Sequence, residues 1–178
     1  VLEGRSLVLQ RRSTLGETLG AQPGVSSTYF GPNVSRPVIR GLDGDRIRIL
    51  QNGSGTHYPS SLSFDHAVPY DPLVAERIEI VRGPAAVLYG GNAVGGVVNT
   101  IDNRIAQRPI TGVTGRAEPR VGGPDDERSF GALVEGGNGR IACHADAFAR
   151  EAGELRTPRL TVPNSSARSD GGTRGGSM

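Results

Sequence analysis

The sequence predicts a mixed domain of short strands and helices, α/β or α+β, followed from about residue 106 by antiparallel strands. Three observations carry this. Up to Ile105, segments of period two such as Arg46–Gln51 and Arg77–Arg82 alternate with helix-opening signals at Ser13-Thr14 and Asp71-Pro72. After Arg108 the alternating runs lengthen and flank an Asn138-Gly139 turn signal. Glycine (27) and proline (12) recur throughout the 178 residues, breaking the chain into short elements.

The elements follow in order. Leu7-Val8-Leu9 is expected as a short strand. Ser13-Thr14-Leu15-Gly16-Glu17 reads as a capping box, opening a helix that ends near Gly20, with Pro23-Gly24 as the stop. Val38–Leu42 and Arg46–Gln51 are expected as strands joined by an Asp43-Gly44 hairpin. Gln51 to Pro72 reads as loop, interrupted by Asn52-Gly53, Gly55, Pro59 and Pro69. Asp71–Glu76 is expected to open a short helix, with Pro72 just inside it. Arg77–Arg82 is a strand, Pro84–Tyr89 one or two helical turns, and Val97–Ile101 a strand apolar enough to be buried. Beyond Arg108, Ser129–Glu135 and Arg140–Arg150 alternate as two strands about Asn138-Gly139, and Gly153 to Met178 reads mainly as loop, with a strand beginning near Ser169. Alternating segments of about ten residues joined by short turns are the pattern of a transmembrane barrel.

Composition excludes several functions. All 20 basic residues are Arg, against 18 acidic ones, for a net charge of +2. Without Lys there is neither a Schiff-base nor a phosphate-loop lysine. The Arg residues are scattered among acids, so no basic face for nucleic acid is expected. One Cys rules out an internal disulfide framework and a paired-cysteine zinc site. No apolar run is long enough for a transmembrane helix. Val1 opens the chain without a charged segment and an apolar core, so no signal peptide is expected in it. Gly90-Gly91-Asn92-Ala93-Val94-Gly95-Gly96 follows a helix and precedes a strand, the reverse of a dinucleotide loop, and reads as tight turns. No catalytic constellation is visible, so no enzyme is expected.

Three histidines remain. Cys143 and His144 are neighbours on a strand and point to opposite faces, so they do not share a metal. His144 reads as an interior polar residue, and Cys143 as a small hydrophobe. His57 and His66 lie in the loop, His66 beside Asp65. A carboxylate and an imidazole suit zinc but make half of a four-ligand site. From the residues alone, an Asp capping a turn beside a solvated His is the favoured reading.

Longer motifs add a resemblance. Arg36-Pro37-Val38-Ile39-Arg40-Gly41-Leu42, Arg46–Gly53, Glu76-Arg77-Ile78-Glu79-Ile80-Val81-Arg82-Gly83-Pro84 through Tyr89-Gly90, and Gly95-Gly96-Val97-Val98-Asn99 occur in that order. Thr14-Leu15-Gly16-Glu17-Thr18-Leu19 and Pro23-Gly24-Val25 precede them. Together they resemble the plug domain of TonB-dependent outer-membrane receptors. The resemblance implies an α+β plug with a small mixed sheet over residues 1–105, and over 106–178 the first antiparallel strands of an incomplete barrel. It further implies nutrient uptake across the outer membrane of a Gram-negative bacterium, with the TonB complex and the remainder of the barrel as partners. No TonB box is found upstream, and the chain reads as a fragment that does not transport by itself.

The segment Leu62-Ser63-Phe64-Asp65-His66-Ala67-Val68-Pro69 followed by Asp71–Arg77 is similar to the zinc-import branch. There an Asp-His pair on the plug supplies two zinc ligands, here Asp65 and His66, with His57 a further candidate. The resemblance thus makes zinc the transported ligand, with no cofactor required. A ferric siderophore, haem or cobalamin is the alternative cargo, and a soluble metal-binding module the alternative class.

Overall fold

The computed structural model describes residues 1–32, 34–55, 63, 66, 68, 70, 74–122 and 125–178. They divide into two compact units, Val1–Asp102 and Asn103–Met178.

The first unit is built on a five-stranded mixed sheet of order β1-β6-β7-β4-β5. Its strands are β1 (Leu2–Glu3), β4 (Ile47–Gln51), β5 (Ser54–Gly55), β6 (Arg77–Val81) and β7 (Gly96–Ile101). β7 is central: it runs antiparallel to β6 and parallel to β4. Being covered on both faces, it is buried at Gly96, Val97, Val98 and Thr100 without strict alternation. Val98 belongs to one core cluster with Ile47, Ile78, Leu15 and Leu19, whereas Val97 belongs to a second with Leu50, Ala86 and Ala93. The register places Ile80 and Ile49 beside Val98, and Val81 beside Val97, so the two clusters occupy opposite faces of the sheet.

The expected helix forms as α2 (Leu15–Leu19), where the Thr14 hydroxyl accepts from the Glu17 N–H at 3.3 Å and donates to the Glu17 carboxylate at 2.8 Å. The Leu7–Leu9 strand does not form. These residues lie in α1 (Gly4–Gln10), closed by the Arg11 N–H on the Leu7 carbonyl at 2.9 Å. Three adjacent apolar residues carry no period, and only Leu7 faces the core, while Val8 and Leu9 stay exposed.

The Asp43-Gly44 hairpin is also corrected. The chain reverses earlier, at Arg40 (φ 52°) and Gly41 (φ 79°), where Ile39 and Leu42 exchange hydrogen bonds of 2.9 and 3.0 Å. Paired positive φ values are those of a primed two-residue turn. Gly44–Arg46 then forms a 3₁₀ turn, β3 (Pro37–Ile39) pairs with β2 (Val25–Ser27), and β4 joins the main sheet instead. The same chemistry recurs at Asn52 (φ 50°) and Gly53 (φ 77°), which join β4 to β5 as a tight hairpin inside the expected loop. Pro84–Tyr89 forms a 3₁₀ helix with Pro at its start, as its sequence suggests. Asp71, Pro72 and Leu73 lie outside the described residues, as does the opening of the helix expected there.

The second unit is an antiparallel meander, β8 (Thr111–Gly122), β9 (Glu127–Asn138), β10 (Ala142–Ala152) and β11 (Ala167–Ser177). The turn between β9 and β10 is held by the Asn138 side-chain oxygen, which accepts from the N–H groups of Arg140 and Ile141 at 3.0 and 2.9 Å. β8 carries no strong sequence signal and holds Pro119, tolerated because β8 is an edge strand of this sheet, paired with β9 among the described residues. β11 is longer than expected. Its Gly171 lies against the Phe148 ring, 2.8 Å from where a Cβ would stand, so glycine lets the aromatic cover the strand.

Burial in this unit is inverted. Along β10 the polar His144, Asp146 and Arg150 are buried, while Cys143, Ala145, Ala147 and Ala149 are exposed. The outward rows continue across the sheet, as in Ala117–Ala132–Ala147–Gly172 and Val113–Gly136–Cys143–Gly176. Polar inward and apolar outward is the alternation of a barrel whose exterior meets lipid.

Candidate functional site

The Asp65-His66 pair is only partly within view. Asp65 and His57 lie outside the described residues. His66 is exposed at a bend, its backbone N–H donating to the Ser63 carbonyl at 3.2 Å. The chain after it is anchored, because Val68, Tyr70, Val74 and Ala75 all enter the main core cluster. His66 is thus exposed, two residues before the first of these buried side chains. Among the described residues no group of three or more His, Cys, Asp or Glu is arranged to hold a metal ion.

A second feature of the first unit is Arg36, 2% exposed, whose Nη2 donates to the Gly44 carbonyl at 3.2 Å. Its Nε and Nη1 have no hydrogen-bond partner among the described residues. Burial pushes the guanidinium pKa down, and Asp43 partly opposes the shift.

The densest polar cluster lies in the second unit. His144 bridges two carboxylates, Nδ1 lying 2.9 Å from Glu135 Oε1 and Nε2 lying 2.9 Å from Asp146 Oδ2. Asp146 also receives a two-pronged bond from Arg104, Nε to Oδ2 at 3.0 Å and Nη2 to Oδ1 at 3.1 Å. Asn103 donates to Glu135 Oε1 at 2.9 Å. The Asp146 side chain is fully buried and that of His144 is 4% exposed.

Strand geometry assembles this cluster. Glu135 and His144 are direct cross-strand partners, and Asp146 is two residues along on the same face. The sequence reading placed His144 correctly in the interior. It missed the partners, although the Asn138-Gly139 turn signal fixes the register that sets Glu135 opposite His144. Arg104 and Asn103, distant in sequence, left no local signal.

Comparison with known proteins agrees with the fold. The family model "TonB-dependent Receptor Plug Domain" matches residues 1–97, more than half the chain. The "Hemin receptor" of Yersinia pestis is 35% identical over 105 residues, covering 57% of this chain and 15% of its own length. The "Ferrichrome outer membrane transporter/phage receptor" of Escherichia coli K12 is 29% identical over 123 residues, covering 66% and 16%. The chain therefore spans about a sixth of these relatives' length. Among solved structures, the "Copper transporter OprC" aligns with a TM-score of 0.73 at 20% identity, over 91% of this chain and 25% of its own. The siderophore receptor PirA of Acinetobacter baumannii aligns with a TM-score of 0.63 at 21% identity, over 79% and 22%. At these identities the likeness establishes the fold.

Proposed function

The chain belongs to the TonB-dependent receptor family through its plug domain, and on that footing we propose that it forms part of an outer-membrane receptor for active nutrient uptake. The observation that carries this is the match over residues 1–97. The second unit supports it, because a meander with a polar buried face and an apolar exposed one suits the start of a barrel wall. The TonB complex as energy source, the remainder of the barrel as housing and a Gram-negative outer membrane as location belong to the same proposal. The relatives are transport receptors, not enzymes.

For the cargo, an iron chelate is the first reading. The two relatives named above carry such a substrate in their names, haemin in one and ferrichrome in the other. Zinc is the second reading. It rests on Asp65 and His66, with His57 eight residues before Asp65, and on the exposure of His66. Titration of the full chain separates the two. Haemin is followed by its absorbance, and zinc by calorimetry with the Asp65→Ala/His66→Ala double variant as control. Saturable haemin binding without zinc binding supports the first reading. Zinc binding abolished in the double variant supports the second. Zinc binding unchanged in that variant removes the Asp65-His66 site.

A further inference from the structure

Arg36 stands just before β3, and its side chain ends at the 3₁₀ turn of Gly44–Arg46. Its backbone is well held, the N–H donating to the Thr28 hydroxyl and the carbonyl accepting from the Thr28 N–H, both at 2.9 Å. Its guanidinium is not. Nη2 donates to the Gly44 carbonyl at 3.2 Å, but that oxygen already accepts from the Ile47 N–H. Nε and Nη1 are sealed from solvent and make no hydrogen bond among the described residues. Asp43 acts on the guanidinium through space and forms no ion pair with it among the described residues. A charge kept from water with two donors unused raises the free energy of the closed arrangement. Atoms so sealed leave no room for a ligand, so this is not a binding site.

The turn that meets the guanidinium is lightly anchored. Between buried Ile39 and buried Ile47, residues 40–46 bury no side chain. Arg40, Gly41, Asp45 and Arg46 are exposed, Leu42 and Asp43 are half-buried, and Gly44 is buried but has no side chain to pack. Backbone bonds hold the segment: Leu42 N–H to the Ile39 carbonyl at 3.0 Å, Arg46 N–H to the Asp43 carbonyl at 3.1 Å, and Gly95 N–H to the Arg46 carbonyl at 2.8 Å. Such bonds exchange for bonds to water at a small net cost. Opening this segment therefore exposes little apolar surface.

We propose that Arg36 is a release point built into the first unit: its unspent guanidinium loads residues 40–46, so that they open locally, ahead of the five-stranded sheet, and opening hydrates the charge. The cost held in the closed arrangement is recovered on opening, which gives the unit a defined place to begin rearranging. This goes beyond the uptake reading and holds for any cargo.

Amide hydrogen exchange of the full chain, read by mass spectrometry, tests it. The amides of Leu42, Arg46 and Ile47 report on the turn, and those of residues 77–81 and 97–101 on the sheet. In the parent chain the turn should exchange at least about tenfold faster than the sheet, at a rate insensitive to low urea, because a local opening exposes little surface. Arg36→Met removes the charge and its donors while the Gly44 carbonyl keeps its bond from Ile47. It should slow exchange of the turn by about tenfold or more, the equivalent of one buried donor no longer left unsatisfied. Arg36→Leu reads the same amides if Arg36→Met does not fold. A turn that exchanges no faster than the sheet in the parent would overturn the proposal, as would Arg36→Met exchange at or above the parent rate. Failure of both variants to fold would also overturn it, since the guanidinium would then support the closed arrangement instead of loading it.

Discussion

Replacing Gly16 and Gly20 of the first unit by alanine should change stability in opposite directions. Both flank or lie in α2, where alanine ordinarily gains about 0.5–1 kcal/mol over glycine. At Gly20, whose φ is −61°, a Cβ meets nothing nearer than the Gly16 carbonyl oxygen at 3.5 Å, so the gain survives. At Gly16 a Cβ would stand 2.7 Å from the Arg36 carbonyl carbon, the Ser27 hydroxyl and the Ser35 hydroxyl. Neither hydroxyl is free to swing aside: Ser27 donates to the Thr28 carbonyl at 2.8 Å, and Ser35 is bonded to Thr14. The helix must therefore move off the Ser35-Arg36 backbone, an overpacking that costs about 1–3 kcal/mol, with about 1 kcal/mol more for each hydrogen bond lost. Gly16→Ala should lose about 1–3 kcal/mol net and Gly20→Ala gain about 0.4–1 kcal/mol. Urea unfolding of the full chain, followed by far-ultraviolet circular dichroism, gives both values if the slope with denaturant is unchanged. A Gly16→Ala chain as stable as the parent would refute the close approach of α2 to residues 35–36.

Other outcomes follow from the same contacts. Thr14→Ala, which removes the α2 cap and the bond to Ser35, should destabilise the chain by about 0.5–2 kcal/mol, measured by the same urea titration. Cys143 is exposed on the outward face of β10, so a water-soluble maleimide should label it completely without denaturant. Detergent micelles that cover this face should slow the labelling, and equal rates with and without micelles would deny that the face takes up apolar molecules. Asp170→Leu/Arg174→Leu should raise the fraction of chain floating with phosphatidylcholine vesicles about tenfold or more, since Arg at a bilayer midplane costs about 2–4 kcal/mol. Unchanged flotation would show that these two charges are not what keeps the outward side of β11 from lipid.

Legibility differed between the two units for physical reasons. In the first, strands β4, β6 and β7 and helix α2 stood in the sequence because their signals are local: alternation, a capping threonine, a run of valines. Their partners did not. Arg46–Gln51 looked like half of a hairpin, yet β4 pairs in parallel with β7, a strand nearly fifty residues later, and no local pattern encodes such a crossover. The turn was misplaced because Asp43-Gly44 has favoured turn chemistry, while the observed turn puts Arg40 at positive φ, where arginine has no preference. In the second unit the interior position of His144 followed from period two alone. Its environment depended on register plus a segment forty residues away, and only the register was recoverable from the turn.

The two units bury opposite kinds of residue, and one sequence rule cannot serve both. Val97, Val98 and Ile78 are enclosed because water drives them together, whereas β10 encloses His144, Asp146 and Arg150 and leaves alanines outside. Buried polar groups are tolerable only when paired, and the bonds among Asn103, Arg104, Glu135, His144 and Asp146 meet that requirement. The outward face has its own logic, but only as far as β10. Register sets Asp170 beside Ala149 and Arg174 beside Ala145, so β11 brings charge into the level of the apolar rows. A lipid-facing wall formed by β8, β9 and β10 is self-consistent, and the same wall extended through β11 is not. The apolar exterior of this chain therefore ends at β10, and β11, rich in glycine and charged on its outward side, is suited to contact with water or with polar protein groups.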